Sequence, residues 1–370
     1  MSLSKFANWF QAATASLTIH SKKEPIVWWV IYLPWSLDFI NAFINKINVF
    51  RPSGKKQINR LVDEARTWAK ENGVDNGKKL AIVTGANSGI GLVTAEALGR
   101  AGYRVILACR NPELGQAAVA ELEEKTGITD KYEFKQLDLS SFDSVDKFVE
   151  DINAREGTLD ILINNAGICG SGLGKTKEGL ELHYGTNHVG PFILTMGLLD
   201  KIKANPNGAR IVNISSIAAW MQREVNYDRF EKDEIYDRWR AYGTTKLCNL
   251  LFASALARKL EGTNVTANAL HPGTATTKIF RPNEAASKLK FLMKVVNHTA
   301  FLEDVESGSL TSILVSMSPR MEGVSGKFYS RCLERRMHPG NSIEAQDKLW
   351  EYTEATIAAA RAEKAKEASS

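Results

Sequence analysis

From residue 79 onward the chain alternates between two kinds of segment. Short apolar runs, expected as strands at 79–84, 104–109, 132–137, 159–164, 209–215, 264–270 and 326–330, are separated by stretches with helical spacing, notably 89–101, 112–125, 143–155, 187–203 and 240–260. A strand that is apolar along its whole length has to be covered on both faces. Parallel neighbours need a long crossover, usually a helix. The alternation therefore predicts an α/β fold, a Rossmann-like doubly wound parallel sheet of about seven strands with helices on both faces. In such a sheet ligands bind outside the carboxyl ends of the strands, where the strand order reverses.

Four motifs stand at such strand ends or on the helices that follow. Thr84-Gly85-Ala86-Asn87-Ser88-Gly89-Ile90-Gly91 lies between the run Leu80–Val83 and the helical stretch Leu92–Arg100. Its Gly-x-x-x-Gly-x-Gly spacing allows a tight turn and a close backbone approach to a pyrophosphate at the helix N-terminus. Asn164-Asn165-Ala166-Gly167 ends the run Leu159–Ile163, where asparagines can pin neighbouring strands and face the crevice. Ile211-Val212-Asn213-Ile214-Ser215-Ser216 ends another run in hydroxyls; such a serine binds a substrate oxygen or caps a helix, and either Ser215 or Ser216 is eligible. Tyr242-Gly243-Thr244-Thr245-Lys246 puts a phenol and an ammonium four residues apart, on one helix face. A nearby ammonium favours phenolate, so the Tyr242 pKa is expected to fall toward neutrality, and a tyrosine tuned that way can exchange a proton with an alcohol or carbonyl.

These motifs, in this order, resemble the short-chain dehydrogenase/reductase family over roughly residues 78 to 332. Leu107-Ala108-Cys109-Arg110, Thr176-Lys177-Glu178-Gly179-Leu180-Glu181 and Thr186-Asn187-His188-Val189-Gly190 are similar to its retinol-dehydrogenase-like branch. The resemblance implies that Tyr242 is the general acid/base, that Lys246 lowers its pKa and holds the nicotinamide ribose, and that Ser216 orients the substrate oxygen. Asn187 would complete the tetrad by holding a water in a proton relay. Gly85, Asn87, Ser88, Gly89, Ile90 and Gly91 would line the pyrophosphate and ribose. Asp138 and Leu139 would meet adenine, Asn165, Ala166 and Gly167 the adenosine side, and Pro272, Gly273, Thr274 and Thr277 the nicotinamide. Ser216 and Tyr242 are 26 positions apart, and the Trp- and Tyr-rich span Trp220–Trp239 between them is expected as an extra loop over the substrate mouth.

Cofactor choice is read from the second strand. Cys109 at its end is followed by Arg110, where an NAD enzyme would place a carboxylate. A guanidinium suits a 2′-phosphate, so NADP(H) is favoured over NAD. The implied reaction is hydride transfer to or from an apolar carbonyl or alcohol of retinoid, steroid or lipid type. The apolar residues Ile279, Phe280, Leu289, Phe291, Leu292 and Met293 are expected on the substrate side. Carbon–carbon double-bond reduction, as in protochlorophyllide-reductase-like relatives, and a non-catalytic NADP-binding scaffold on a lipid surface are the alternatives.

The net charge of +5 is dispersed, with no basic block, which argues against a nucleic-acid partner. Neither the four cysteines nor the six histidines show ligand spacing, so no metal is expected. Residues 1–54 form an extension whose segment 26–50 opens with the aromatic run Pro25–Leu37 and continues at helical spacing. It reads as a monotopic or hairpin membrane anchor, a spanning helix, or an aromatic helix docked on protein. Basic residues after it place the catalytic domain in the cytosol, at an endoplasmic reticulum or lipid-droplet surface, if membrane is involved; otherwise the chain is cytoplasmic. Residues 55–77 are expected as an amphipathic lead-in helix and linker, 78–350 as the Rossmann-fold catalytic domain and 351–370 as a C-terminal helix and tail. The helix at 240–260 is a candidate homodimer face.

Overall fold

Eight strands make one sheet in the computed structural model, which describes residues 53–273, 304–336 and 342–369. They are β1 Leu80–Thr84, β2 Arg104–Cys109, β3 Tyr132–Gln136, β4 Ile161–Asn164, β5 Ala209–Ile214, β6 Val265–His271, β7 Phe328–Ser330 and β8 Leu333–Arg335, in the order β3-β2-β1-β4-β5-β6-β7-β8. All ladders from β3 to β7 are parallel, and β8 returns antiparallel on β7. The order reverses between β1 and β4, which opens the crevice a doubly wound sheet offers to ligands. β8 is the strand beyond the expected seven. It follows a two-residue turn at Arg331 and Cys332, with φ of 53° and 61°. Hairpin turns with two positive φ values are normally announced by Asn or Gly, and this one is not.

Helices cover both faces: α1 Gly54–Glu71, α2 Gly89–Arg100, α3 Pro112–Thr126, α4 Phe142–Arg155, α5 Gly190–Gly197, α6 Arg238–Lys259, α7 Val305–Met317 and α8 Ile343–Ser369. Residues alternate between layers along each buried strand. Ala81 and Val83 of β1 pack with Ile58, Leu98, Leu310 and Ile313 from α1, α2 and α7. Leu80 and Ile82 face Phe148, Phe192, Phe252 and Leu256 from α4, α5 and α6. Local signals set the helix limits. Asn111 Oδ1 accepts from Leu114 N at 2.7 Å, Pro112 opens α3, and Gly127 closes it in the left-handed region.

Two expectations are corrected, and the packing of α6 adds a further finding. The single helix expected at 187–203 is broken into a π-helical turn at Gly185–Val189, helix α5 and a further turn at Leu199–Lys203. Pro191 at the start of α5 has no N–H for a continuous ladder, and π turns widen a helix by one residue, often at functional positions. The boundary expected at 350/351 falls inside α8, where Leu349, Trp350 and Thr353 are buried, so the helix docks on the domain rather than trailing from it. Finally, α6 has no open face along its middle. Ala241 and every residue from Gly243 to Leu256 are buried, and α8 lies against it through Leu349, an Arg258–Asp347 ion pair and Lys259 over the Trp350 ring at 4.5 Å.

The expected calls at Thr274, Thr277 and the apolar residues between Ile279 and Met293 lie outside the described residues, as do residues 1–52. No described helix is long and apolar enough to cross a membrane.

Candidate active site

The glycine turn after β1 and the asparagine motif after β4 are built into each other. Thr84 Oγ1 accepts from the amides of Asn165 and Ala166, both at 2.9 Å, and Asn165 Nδ2 donates to Thr84 O at 2.7 Å. Gly85 sits at φ +64°, where a Cβ would come 2.9 Å from Ala166 Cα; a Cβ on Gly91 would come 2.5 Å from Asn165 Nδ2 and 2.6 Å from Gly85 O. Both glycines are therefore required by the packing of the turn itself, and a larger residue would push the two loops apart. Ser88 precedes α2 without spending its hydroxyl on a cap bond, and the first amides of α2 (Gly89 and Ile90 among them) have no helical partner, which makes an anion cradle. Asn87 at the same turn hydrogen-bonds the Cys109 thiol through its backbone.

Deeper in the crevice, Asn164 is in register with Asn213 and its Nδ2 donates to Asn213 Oδ1 and Thr195 Oγ1, both at 2.9 Å. That bond pins β4 to β5 and leaves Asn165 to the β1 side. Ser215 Oγ donates to Lys246 O at 2.6 Å, which ties α6 to the end of β5. Its hydroxyl proton is spent on structure, whereas Ser216 Oγ accepts from Ala218 N at 3.2 Å at the start of the turn Ile217–Met221 and stands beside Tyr242. Lys246 Nζ donates to Ile214 O at 3.1 Å and lies 5.7 Å from the centre of the Tyr242 ring. A Cβ on Gly167 would meet Asn187 Oδ1 at 3.2 Å and Lys246 Nζ at 3.3 Å, so both side chains close on the same bare stretch of backbone. Asn187 sits in the π turn; its Oδ1 accepts from Ile168 N at 2.7 Å, and its Nδ2 donates to Ile168 O at 3.0 Å and Thr245 Oγ1 at 3.1 Å. The structure thus brings Ser216, Tyr242, Lys246 and Asn187 to one place from three segments, the end of β5, α6 and the π turn.

Electrostatics correct one expectation. Burial pushes the Tyr242 phenol well above its ordinary pKa, the neighbouring Cys169 thiol adds to the rise, and the Ser216 hydrogen bond pulls it back only in part. The phenol is therefore not drawn toward neutrality by Lys246. The ammonium is itself buried at 2% exposure, and burial lowers its pKa to about 8. Desolvation penalises the charged form of each.

Residues 79–288 match the family described as short chain dehydrogenase. This chain belongs to that family. It is 37% identical over 292 residues to human retinol dehydrogenase 14, across 75% of this chain and 86% of that protein. Among solved structures, an uncharacterized protein from Mycobacterium paratuberculosis is 30% identical with a TM-score of 0.58, covering 75% of this chain and 92% of that one. A blue fluorescent protein from a metagenomic library, solved in complex with NADPH, is 25% identical with a TM-score of 0.53, covering 68% of this chain and 95% of its own.

The remaining expected positions of this dehydrogenase divide. Arg110 is exposed just past β2, and its guanidinium has no partner among the described residues. Asp138 Oδ1 accepts from Ser140 N at 3.0 Å and Ser140 Oγ at 2.6 Å, so one carboxylate oxygen is held by its own loop. Leu139 is a core residue, with its carbonyl packed against the Cα of Gly190, where a Cβ would have no room. Pro272 and Gly273 are buried just beyond β6.

Two features escaped the sequence reading. Cys169, 6% exposed, has its thiol pushed up to about 12 by burial and interacts with both Tyr242 and Lys246; its position two residues after Gly167 was the available signal. In the Trp220–Trp239 span, Tyr236 Oη donates to Ser171 O at 3.0 Å and lies 3.2 Å from His183 Nδ1, while the Trp239 ring would stand 3.5 Å from a Gly170 Cβ. The span is thereby fastened to residues 170–172 beside the crevice, with Trp239, Leu173, Met221 and Ile235 exposed.

Proposed function

We propose that this chain transfers a hydride between NADP(H) and the carbon of an apolar carbonyl or alcohol, with Tyr242 exchanging the proton. The observation that carries the reading is the convergence of Ser216, Tyr242, Lys246 and Asn187 beside Gly167 at the carboxyl ends of β4 and β5. The cradle at Gly85–Gly91 suits a pyrophosphate, with Asn87, Ser88, Gly89 and Ile90 at the turn. Arg110, unpartnered among the described residues, suits a 2′-phosphate, and the solved NADPH complex of a family relative supports the same choice. Asp138, Leu139, Asn165, Ala166, Pro272, Gly273, Thr274 and Thr277 complete the proposed cofactor surface. When bound, the nicotinamide supplies or accepts the hydride.

The rest follows from the chain's own groups. Ser216 and Tyr242 hydrogen-bond the substrate oxygen. With its pKa raised by burial, Tyr242 is a neutral phenol at physiological pH, the form that gives a proton to a developing alkoxide. The phenolate left behind gains from the Lys246 cation on the same helix face, and Asn187 holds the Ile168 backbone that borders both groups. Trp239, Leu173, Met221 and Ile235 near the crevice favour an apolar substrate, in line with the retinol dehydrogenase relatives. Residues 1–54 are proposed to attach the catalytic domain to an endoplasmic reticulum or lipid-droplet surface.

The test is NADPH oxidation by the purified chain against a panel of aldehydes and ketones, with product analysis to separate C=O from C=C reduction. Turnover of long-chain or retinoid carbonyls above small polar ketones is expected. Titration that finds no affinity for either pyridine nucleotide would overturn the assignment, and a preference for small polar ketones would remove the apolar substrate. Fractionation of cells expressing the chain with and without residues 1–54 tests the membrane attachment.

A further inference from the structure

A line of buried polar groups runs from the C-terminal helix to the active-site lysine. Thr353 of α8 has no exposed surface, and its Oγ1 lies 3.0 Å from His188 Nε2 and 3.3 Å from Tyr184 Oη. His188 follows Asn187 in the π turn, and its Nδ1 lies 3.4 Å from Asn249 Oδ1. Asn249, on α6 just after Lys246, donates from Nδ2 to Ile214 O at 3.2 Å. That carbonyl is the one that receives Lys246 Nζ at 3.1 Å. His188, Asn249 and Lys246 are 1%, 3% and 2% exposed, so none of these bonds is shared with solvent.

The proton positions follow from the chemistry of the groups. Burial lowers the His188 pKa to about 4, so the ring is neutral and carries one proton. Asn249 Oδ1 can only accept, because its Nδ2 is directed at a carbonyl; His188 Nδ1 must then be the donor, and Nε2 is left as an acceptor. The Thr353 hydroxyl fills that need, with its single proton shared between Nε2 and Leu349 O at 2.7 Å, and Tyr184 Oη donates to Thr353 in turn. Each member lies within hydrogen-bond distance of the next, and a buried polar network connected in this way fixes geometry. α8 is clamped independently on either side of Thr353, by the Arg258–Asp347 pair and by Arg361, which donates to both oxygens of Asp146 at 2.8 Å.

We propose that α8 is a positioning arm of the active site: Thr353, His188 and Asn249 hold the Ile214 carbonyl and the π turn in the places that Lys246 and Asn187 require. This rests on the catalytic reading above. The residues are positioning residues, since none touches the reacting atoms.

The test compares Thr353→Val and Thr353→Ser in the full chain. Loss of one buried hydrogen bond, at about 1 kcal/mol, should lower kcat about fivefold in the valine variant. The alkaline limb of the kcat profile should move to lower pH, because a misplaced carbonyl no longer favours the Lys246 cation. The serine variant, which keeps the hydroxyl, should restore both. Nitrogen-15 NMR of labelled histidines in the cofactor-free chain should show His188 with its proton on Nδ1 in the parent, and a shifted or exchanging signal in Thr353→Val. Unchanged kcat and pH limb in the valine variant, equal loss in valine and serine variants, or a proton on Nε2 in the parent would each overturn the proposal. A parent chain with no turnover at all sinks the catalytic reading alone, and the NMR arm still decides the network.

Discussion

The two ends of the sheet both hold buried charge, and they treat it in opposite ways. At the amino end, a cavity of about 580 Å³ is lined by Lys79, Tyr103, Asp160, Arg210, Asn264 and Glu322. Asp160 accepts from Leu80 N at 2.8 Å and from Asn205 Nδ2 at 2.9 Å. Arg210 donates to Ser316 O at 3.2 Å, Ser318 O at 2.9 Å and Glu322 at 3.0 Å. Burial lowers the Lys79 pKa, but Asp160 draws it back. At the carboxyl end, Lys246 is more deeply buried and faces one carbonyl, with no ion pair among the described residues. Buried charge that is paired holds a fold together, whereas buried charge left open is the mark of a site that a ligand completes.

The largest expected effect attacks the open end. Tyr242→Phe should lower kcat by about 10²–10⁴ while NADPH affinity, read by fluorescence titration, is retained; near-normal turnover would show that the phenol is only a packing residue. The matching change at the closed end is Asp160→Ala, which strands the Leu80 amide and the Asn205 side chain. It should cost about 2–4 kcal/mol in denaturant unfolding, with the activity of the folded fraction unchanged. If activity fell and stability did not, the contrast between the two ends would be wrong.

A pH series sharpens the same contrast. The folded chain holds Lys246 at about 8, below the ordinary 10.5, so between these values the unfolded chain binds the proton and the folded chain does not. Stability from this group therefore rises with pH across that window. Activity should fall across it as the cation is lost, and Lys246→Met should remove both trends. Smallest is Arg110→Ala, which should reduce the NADPH-over-NADH preference about tenfold, the worth of one charge-assisted contact of about 1.5 kcal/mol at an exposed position.

The parallel strands were legible because an apolar run bounded by glycine or asparagine has few other folded states. The match extends to the ends of β2 at Arg104 and Cys109. β8 was not, since Arg331-Cys332 carries no turn signal, and neither was the π turn, whose extra residue has no local signature at Thr186-Asn187-His188. In the candidate site, Tyr242 and Lys246 were singled out by their spacing and Asn187 by its motif, and the fold brings the three side chains together. Ser215 and Ser216 read alike in the sequence, and only the structure places the Ser215 hydroxyl on Lys246 O.

Spacing and composition by themselves determined the layer order of this chain and the identity of the groups that gather at one crevice, because hydrophobic periodicity and glycine conformation are local properties. The protonation of those groups was decided only in three dimensions. A lysine four residues from a tyrosine predicts an acidic phenol, yet the folded surroundings remove water from both, and that desolvation raises the Tyr242 pKa and lowers that of Lys246. The same holds for α8: nothing near Thr353 in the chain points to His188, and only the closing of the helix over α6 places a hydroxyl against the imidazole beside Asn187.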